Sequence, residues 1–77
     1  MIKNMKNYRV SVKLIDVTHQ EFENYKIGFC LKNKCLMERL KDTYFCETTN
    51  EGYRDLQQIK EIFELKNKTI FINKGSI

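Results

Sequence analysis

Three cysteines, one histidine and two neighbouring carboxylates are the side chains of this 77-residue chain that could do chemistry. Thiolate and imidazole groups are ligands that zinc prefers, and a cysteine beside a histidine can act as a nucleophile. Structural zinc sites bring their ligands in pairs separated by two to four residues. Here ten, four and ten residues separate the successive members of the set, which is His19, Cys30, Cys35 and Cys46. Only Cys30 and Cys35 form a marginal pair of this kind, and no second pair accompanies them. The spacing therefore predicts reduced thiols and no metal site.

The other groups that enzymes assemble are not evident in the sequence. Glu21 and Glu23 stand beside His19 without forming a recognised catalytic motif, and the glycines are isolated rather than clustered in a phosphate-binding loop. We therefore expect a protein that is not an enzyme, has no catalytic residue and binds no cofactor. Cysteines that are odd in number and widely spaced are typical of a reducing compartment, and no apolar run reaches the length of a membrane span. These features predict a soluble, cytoplasmic protein without membrane contact.

One amphipathic helix is predicted over residues 48–66. Its apolar residues recur at spacings of three and four and fall on one stripe, while most charged residues fall outside it. Thr48 and Glu51 have the spacing of a capping box, Asn50 is an alternative cap, and Asn67 can take the left-handed conformation that closes a helix. The predicted inner stripe consists of Tyr53, Leu56, Ile59, Ile62 and Phe63.

Much of the remaining chain alternates between apolar and polar residues, as strands do. The predicted fold class is α+β, with a small antiparallel sheet of four to five strands in the order β-β-β-β-α-β and one helix packed on one face. Residues 1–77 are predicted to form a single small domain in which residues 1–7 are flexible. Phe45 is predicted to point into the core, and Tyr44 to point outward. The predicted strands span 8–17, 25–32, 35–40, 43–47 and 69–73.

A hairpin is predicted to turn at residues 33–34 and to join the second and third of these strands. In that arrangement Leu36 faces Leu31 and Leu40 faces Ile27, on the apolar face of the hairpin. The competing interpretation is a short helix capped by Asn33, with Leu36, Met37 and Leu40 on its apolar side.

The net charge of +4 is concentrated at the two ends of the chain. Residues 1–13 carry four bases and no acid, and residues 66–77 carry three bases and no acid. If the terminal strands pair, these bases share a sheet face with exposed rings, an arrangement that binds single-stranded nucleic acid. The alternative is an ordinary solvated face. The candidate residues are Arg9, Lys13, Lys26, Lys32, Arg39, Tyr44, Phe71 and Lys74.

The outer face of the predicted helix is acidic instead. Glu51, Asp55, Glu61 and Glu64 outnumber the bases there, so this face could dock on a basic surface, and the alternative is again a solvated face. The N-terminal strand is a further candidate, as an exposed edge open to strand addition or to dimerisation.

Length and composition supply the functional expectation. Lysine, asparagine and isoleucine, whose codons are AT-rich, are heavily used, and the chain is short and without motifs. We expect a non-enzymatic binding protein that acts through its surface on a larger protein. Its specific form would be a phage or mobile-element inhibitor of a host machine, for example an anti-CRISPR or other anti-defence protein. A nucleic-acid-binding regulator that uses the basic sheet face is the alternative, and a homodimer is a third interpretation.

Overall fold

Two helices lie on one side of a four-stranded antiparallel sheet in the computed structural model of the chain, which describes residues 8–76. The predicted α+β class is confirmed. The order of the elements is β-α-β-β-α-β, so the prediction of one helix is corrected to two. The predicted flexibility of residues 1–7 lies outside the described part of the chain. The elements are β1 (Tyr8–Leu14), α1 (His19–Asn33), β2 (Met37–Leu40), β3 (Thr43–Thr48), α2 (Asn50–Glu64) and β4 (Ile70–Ser76).

The strands are arranged in the order β2-β3-β1-β4, and all neighbouring pairs are antiparallel. This is the double split β-α-β arrangement of ferredoxin-like folds, in which each β-α-β unit leaves room for a strand of the other. The terminal strands pair with each other as predicted, with Leu14 opposite Ile70. Because β1 lies inside the sheet, the prediction that it is an edge strand is wrong. The edges are β2 and β4.

Residues 25–32, which alternation predicted to be a strand, form the second half of helix α1. The Thr18 hydroxyl accepts from the backbone amide of Glu21, and the Glu21 carboxylate accepts from the backbone amide of Thr18. These two bonds complete a capping box and begin the helix. It ends where Lys34 takes the left-handed conformation, with φ of 52°. Local capping therefore outweighs the alternation of the residues that follow.

The predicted hairpin around residues 33–34 is also wrong, because its first strand belongs to a helix. Strand β2 covers the end of the predicted third strand, but it pairs with β3 across a tight turn in which Lys41 has φ of 59°. The competing short helix is not formed either. Within β2 only Met37 is buried, and Leu36 and Leu40, which were predicted to face inward, are exposed.

Helix α2 lies within the predicted range of 48–66. Its cap is Thr49, whose hydroxyl accepts from the Gly52 backbone amide. The predicted cap, Thr48, is instead the last residue of β3 and is buried. Of the predicted inner stripe, Ile62 is exposed, and the half-buried or buried members are Tyr53, Leu56, Ile59 and Phe63.

The core lies between the sheet and the two helices. Strand β1 alternates as predicted, so that Val10 and Val12 are buried. In β3 the alternation has the opposite sense to the prediction, because Tyr44 is fully buried and Phe45 is exposed on the far side of the sheet. Burying each large apolar side chain contributes about 1.5–3 kcal/mol.

Gly52 allows the first turn of α2 to approach β3 and α1 closely. A Cβ at this position would overlap the Thr48 hydroxyl and would lie 3.2 Å from Asn33 Oδ1. Gly28 lies inside α1, and a Cβ there would meet nothing within 4 Å. Only the first of the two glycines is therefore required by packing.

Candidate binding surface on the open sheet face

The helices leave one side of the sheet uncovered, and this side is called the open face below. Side chains alternate along each strand, so the strand register assigns its members. Ser11 on β1, for example, lies between Phe45 on β3 and Asn73 on β4. Leu36, which precedes β2, borders the same surface. The open face comprises Arg9, Ser11, Lys13, Glu38, Leu40, Thr43, Phe45, Glu47, Phe71, Asn73 and Gly75.

Four large apolar side chains are exposed on or beside the open face. The exposed fraction is 43% for Phe45, 59% for Phe71, 66% for Leu40 and 85% for Leu36. Single exposed apolar residues are normal on a protein surface, but several that share one face mark an interaction site. The open face is therefore the candidate binding surface.

The formal charges on the open face cancel. Arg9 Nε lies 3.3 Å from Glu47 Oε2, so one base and one acid are already paired. Lys13 and Glu38 are the other two charged members, and both are exposed. The surface is consequently mixed in charge rather than basic.

A groove with a volume of about 590 Å³ runs across this surface. Phe45, Leu36, Arg9, Glu47 and Asn73 are among the residues that line it. Pockets for small molecules bury most of their ligand, whereas this groove lies on a sheet surface that is open to solvent. Its shape suits a broad contact with another macromolecule better than the enclosure of a small ligand.

The eight residues that were predicted to form a basic, aromatic face do not lie on one surface. The members that lie on the open face are Arg9, Lys13 and Phe71. The others are Tyr44 in the core, Lys26 and Lys32 on α1, and Arg39 and Lys74 on the helix side of β2 and β4. Mistaking α1 for a strand misplaced Lys26 and Lys32, and assigning the opposite alternation to β3 and β2 misplaced Tyr44 and Arg39. Lys74 was misplaced because it shares the alternation of the inward-facing residues of β4.

Lys74 illustrates what the misplaced bases do. Its Nζ lies 4.5 Å from the ring centroid of Tyr8 and 4.4 Å from that of Tyr53. A cation over two ring faces is attracted by their quadrupoles. Lys74 therefore contacts aromatic groups of its own chain on the helix side of the sheet.

The acidic residues of α2 are likewise divided between two sides of the helix. Asp55 accepts hydrogen bonds from Lys32 Nζ at 3.2 Å and from Asn33 Nδ2 at 3.1 Å, which joins α2 to α1. Glu51 lies 4.0 Å from the same lysine. Half of the predicted acidic set thus stabilises helix packing. The exposed members outside this contact are Glu61 and Glu64.

A polar cluster surrounds the buried Tyr44 hydroxyl. It donates to Glu23 Oε2 at 3.0 Å and lies 3.0 Å from His19 Nδ1. Because the phenol has one proton, which Glu23 accepts, His19 Nδ1 is the donor in the second contact. Burial raises the pKa of Tyr44, the bond to Glu23 raises that pKa further, and Arg39 acts in the opposite direction. A cavity of about 310 Å³ adjoins the cluster. The arrangement keeps a neutral phenol in place and anchors α1 to β3.

All three cysteines are free. Cys30 is half-buried at the end of α1, and the nearby Cys35 is buried. Burial raises the pKa of the Cys30 thiol, and the Cys35 thiol beside it adds to the effect. A raised pKa lowers the fraction of reactive thiolate at neutral pH. Within residues 8–76, no group of three histidine, cysteine, aspartate or glutamate side chains could hold a metal ion.

Sequence reasoning missed most of the open face. Phe45, Leu36 and Leu40 were placed in the core, and Glu38 and Glu47 were not considered. One signal was available in β3. Phe45 is two positions from Glu47 and so lies on the same side of the strand, and the charge of Glu47 favours solvent. The neighbouring Tyr44 and Cys46 look no more apolar than Phe45, which made the sense of the alternation ambiguous.

Comparisons of the chain with protein-family models, with curated proteins and with solved structures found no match in any of the three. No helix within residues 8–76 is both long enough and apolar enough to cross a membrane. The functional argument therefore rests on the surface described above.

Proposed function

We propose that this chain is a non-enzymatic binding protein whose open face contacts another protein. The observation that supports the proposal is the grouping of Leu36, Leu40, Phe45 and Phe71, all exposed, on or beside one uncovered sheet face. Protein interfaces combine apolar and aromatic side chains with polar ones. The open face carries both kinds, and its exposed apolar residues are spread from one edge strand to the other.

The charge of the open face favours a protein over a nucleic acid as the partner. Nucleic-acid affinity comes largely from cations that neutralise phosphates. Here the two bases, Arg9 and Lys13, are balanced by Glu38 and Glu47, and Arg9 is already paired with Glu47. A polyanion would meet repulsion from both carboxylates.

A nucleic-acid-binding regulator is the second candidate, and one observation favours it. Phe45 and Phe71 are exposed on the same face as Arg9 and Lys13, and four-stranded sheets use such rings to stack bases. A gel-shift titration of single-stranded oligonucleotides at two salt concentrations separates the candidates. Tight binding that weakens steeply with salt and is lost when Arg9, Lys13 and Phe71 are replaced would establish the second candidate.

The setting that we propose is the cytoplasm, where three free cysteines stay reduced. There the chain would act on a larger protein of the host cell, as a phage or mobile-element inhibitor such as an anti-CRISPR. Short length and heavy use of residues whose codons are AT-rich support this part of the proposal. No residue of the described surface selects one host machine over another.

The experiment is a capture with a matched pair of variants. Tagged protein is cross-linked in bacterial cells, and the proteins joined to it in stoichiometric amounts are identified. The test variant carries Leu40→Asp and Phe71→Asp on the open face. The control carries Ile27→Asp and Leu31→Asp on the outer side of α1, where the exposed fractions of 63% and 75% are comparable.

We expect the wild-type chain and the α1 variant to be joined to the same protein, whether a second copy of the chain or another protein. The open-face variant should lose it, because two charges would be placed in the apolar part of the contact. Equal capture by both variants, or loss only in the α1 variant, would contradict the proposal.

A further inference from the structure

The open face has a regular layout in three rows across the strands. The first row places Glu47 on β3 beside Arg9 on β1. The second row runs from Glu38 on β2 to Asn73 on β4, through Phe45 and Ser11, and the third row runs from Leu40 to Phe71, through Thr43 and Lys13. Acids thus lie on β2 and β3, whereas both bases lie on β1.

This layout is complementary to itself under one particular rotation. A two-fold axis that is parallel to the strands and lies between two stacked sheets places β3 over β1 of the second copy and β2 over β4. Arg9 then lies over Glu47 of the second copy, and Leu40 lies over Phe71. The same rotation places Glu38 over Asn73, whose amide can donate to the carboxylate. Every charged group thereby meets an opposite charge or a polar group, and each contact occurs twice.

The other two-fold axis that would stack the open faces is perpendicular to the strands, and it does not fit. It would place Arg9 over Lys13 of the second copy twice, and like charges that face each other across an interface cost several kcal/mol. The layout therefore favours the axis parallel to the strands over the perpendicular one.

We propose that two copies of this chain stack their open faces about the axis parallel to the strands. The inference rests on the proposed function, since it makes a second copy of the chain the protein that contacts the open face. A larger partner would compete with that copy for the same surface. The two sheets would lie about 10 Å apart, with their strand directions within about 30° of each other.

The size of the face sets the expected strength. The four strands have 7, 4, 6 and 7 residues in chain order, which at the usual rise and strand spacing cover about 390 Å² of sheet. A standard interface buries about 800 Å² per partner. The dimer is consequently weak, and it forms and dissociates with concentration.

Charge reversal in two separate chains tests the geometry. The variant Arg9→Glu has glutamate at positions 9 and 47, and the variant Glu47→Arg has arginine at these two positions. Neither should self-associate, and the dissociation constant should rise at least about a hundredfold because the repulsion occurs twice. An equimolar mixture of the two should form a one-to-one heterodimer. The contact between positions 9 and 47 within one chain cannot explain the recovered association, because the two side chains carry like charges in each variant.

Sedimentation equilibrium over a concentration series supplies the readout. The wild-type chain should move from 9.3 kDa towards twice that mass as its concentration rises. Thermal unfolding confirms that each charge variant is folded. Leu40→Asp with Phe71→Asp, at exposed positions that the fold does not need, should be monomeric throughout, and Ile27→Asp with Leu31→Asp should associate like the wild type.

Three results would overturn the inference: a wild-type chain that is monomeric at every concentration, a mixture of the charge variants that does not associate, or association that survives the open-face changes. The proposed function has a separate test. If the wild-type chain is monomeric and cross-linking still captures a different protein through the open face, only the second copy is excluded as the partner. If neither association nor capture depends on the open face, the proposed function fails as well.

Discussion

Leu40 and Phe71 lie in the same row of the open face, on the two opposite edge strands of the sheet. The two residues are 31 positions apart in the sequence, and strands β3 and β1 lie between the strands that carry them. Both side chains are more than half exposed. The split β-α-β topology thus brings apolar groups from distant segments to one uncovered surface.

Replacing Tyr44 with phenylalanine should destabilise the protein by about 1–3 kcal/mol. The change leaves Glu23 and His19 without the hydroxyl that they share, and a buried polar group without a partner costs about that much. Denaturant unfolding measures the loss. Tyr25→Phe is the matched control, since within residues 8–76 its hydroxyl accepts one long hydrogen bond, from Lys66 Nζ at 3.5 Å. Its removal should change stability by less than about 0.5 kcal/mol. Equal effects of the two changes would show that the cluster does not anchor α1.

The two helical glycines should respond in opposite directions to alanine. Gly52→Ala should destabilise by about 1–3 kcal/mol, because the added methyl group overlaps Thr48. Gly28→Ala should stabilise by about 0.5–1 kcal/mol, because nothing lies near the added carbon and alanine favours a helix. Thermal unfolding of the pair provides the comparison. A stabilised Gly52→Ala protein would mean that α2 does not approach β3 as closely as described.

Glu21 should titrate at unusually low pH. The ammonium of Lys68 donates to its carboxylate at 2.7 Å, and together with the Thr18 backbone amide it lowers the pKa of Glu21 from 4.5 to about 2. Since the folded pKa lies below the unfolded one, the contribution to stability is present above pH 4.5 and is lost as the pH falls through about 2.

Carboxyl-resolved NMR titration measures this midpoint. Lys68→Met should raise it towards 4.5, whereas Lys60→Met, which removes a lysine from an ion pair on α2, should leave it unchanged. A Glu21 midpoint near 4.5 in the unmodified protein would show that the contact with Lys68 does not persist in solution.

Several elements could be predicted from sequence because their signals are local. The residues of β1 that point inward, the position of α2 and the left-handed Asn67, with φ of 59°, all follow from alternation, helical spacing or residue type. The capping box of Thr18 and Glu21 is an equally local signal. It has the same spacing as Thr48 and Glu51, and it would have predicted the start of α1.

Helix α1 was missed because its apolar residues do not form one stripe. Phe22 and Phe29 are buried, while Ile27 and Leu31, on the opposite side, are 63% and 75% exposed. With apolar groups on both sides, the alternation of residues 25–32 resembled a strand. Helical periodicity signals a helix only when one side is polar.

The open face could not be predicted for a related reason. In β3 apolar residues occupy both sides of the sheet. The buried position of Tyr44 is stabilised by contacts of its hydroxyl with Glu23 and His19, which are 21 and 25 positions away in the sequence. A one-residue error of alternation exchanges the two faces completely. The location of the candidate surface is therefore set by tertiary contacts rather than by the strand itself.

Amide NMR spectra of the labelled protein test most directly whether the open face is the contact surface. The spectra are recorded over a dilution series and then with any captured partner. We predict concentration-dependent or partner-dependent shifts concentrated at residues 9–13, 38–40, 43–47 and 71–75, with little change along the outer side of α1. Shifts confined to the helices, with the open face unchanged in both experiments, would contradict the proposal.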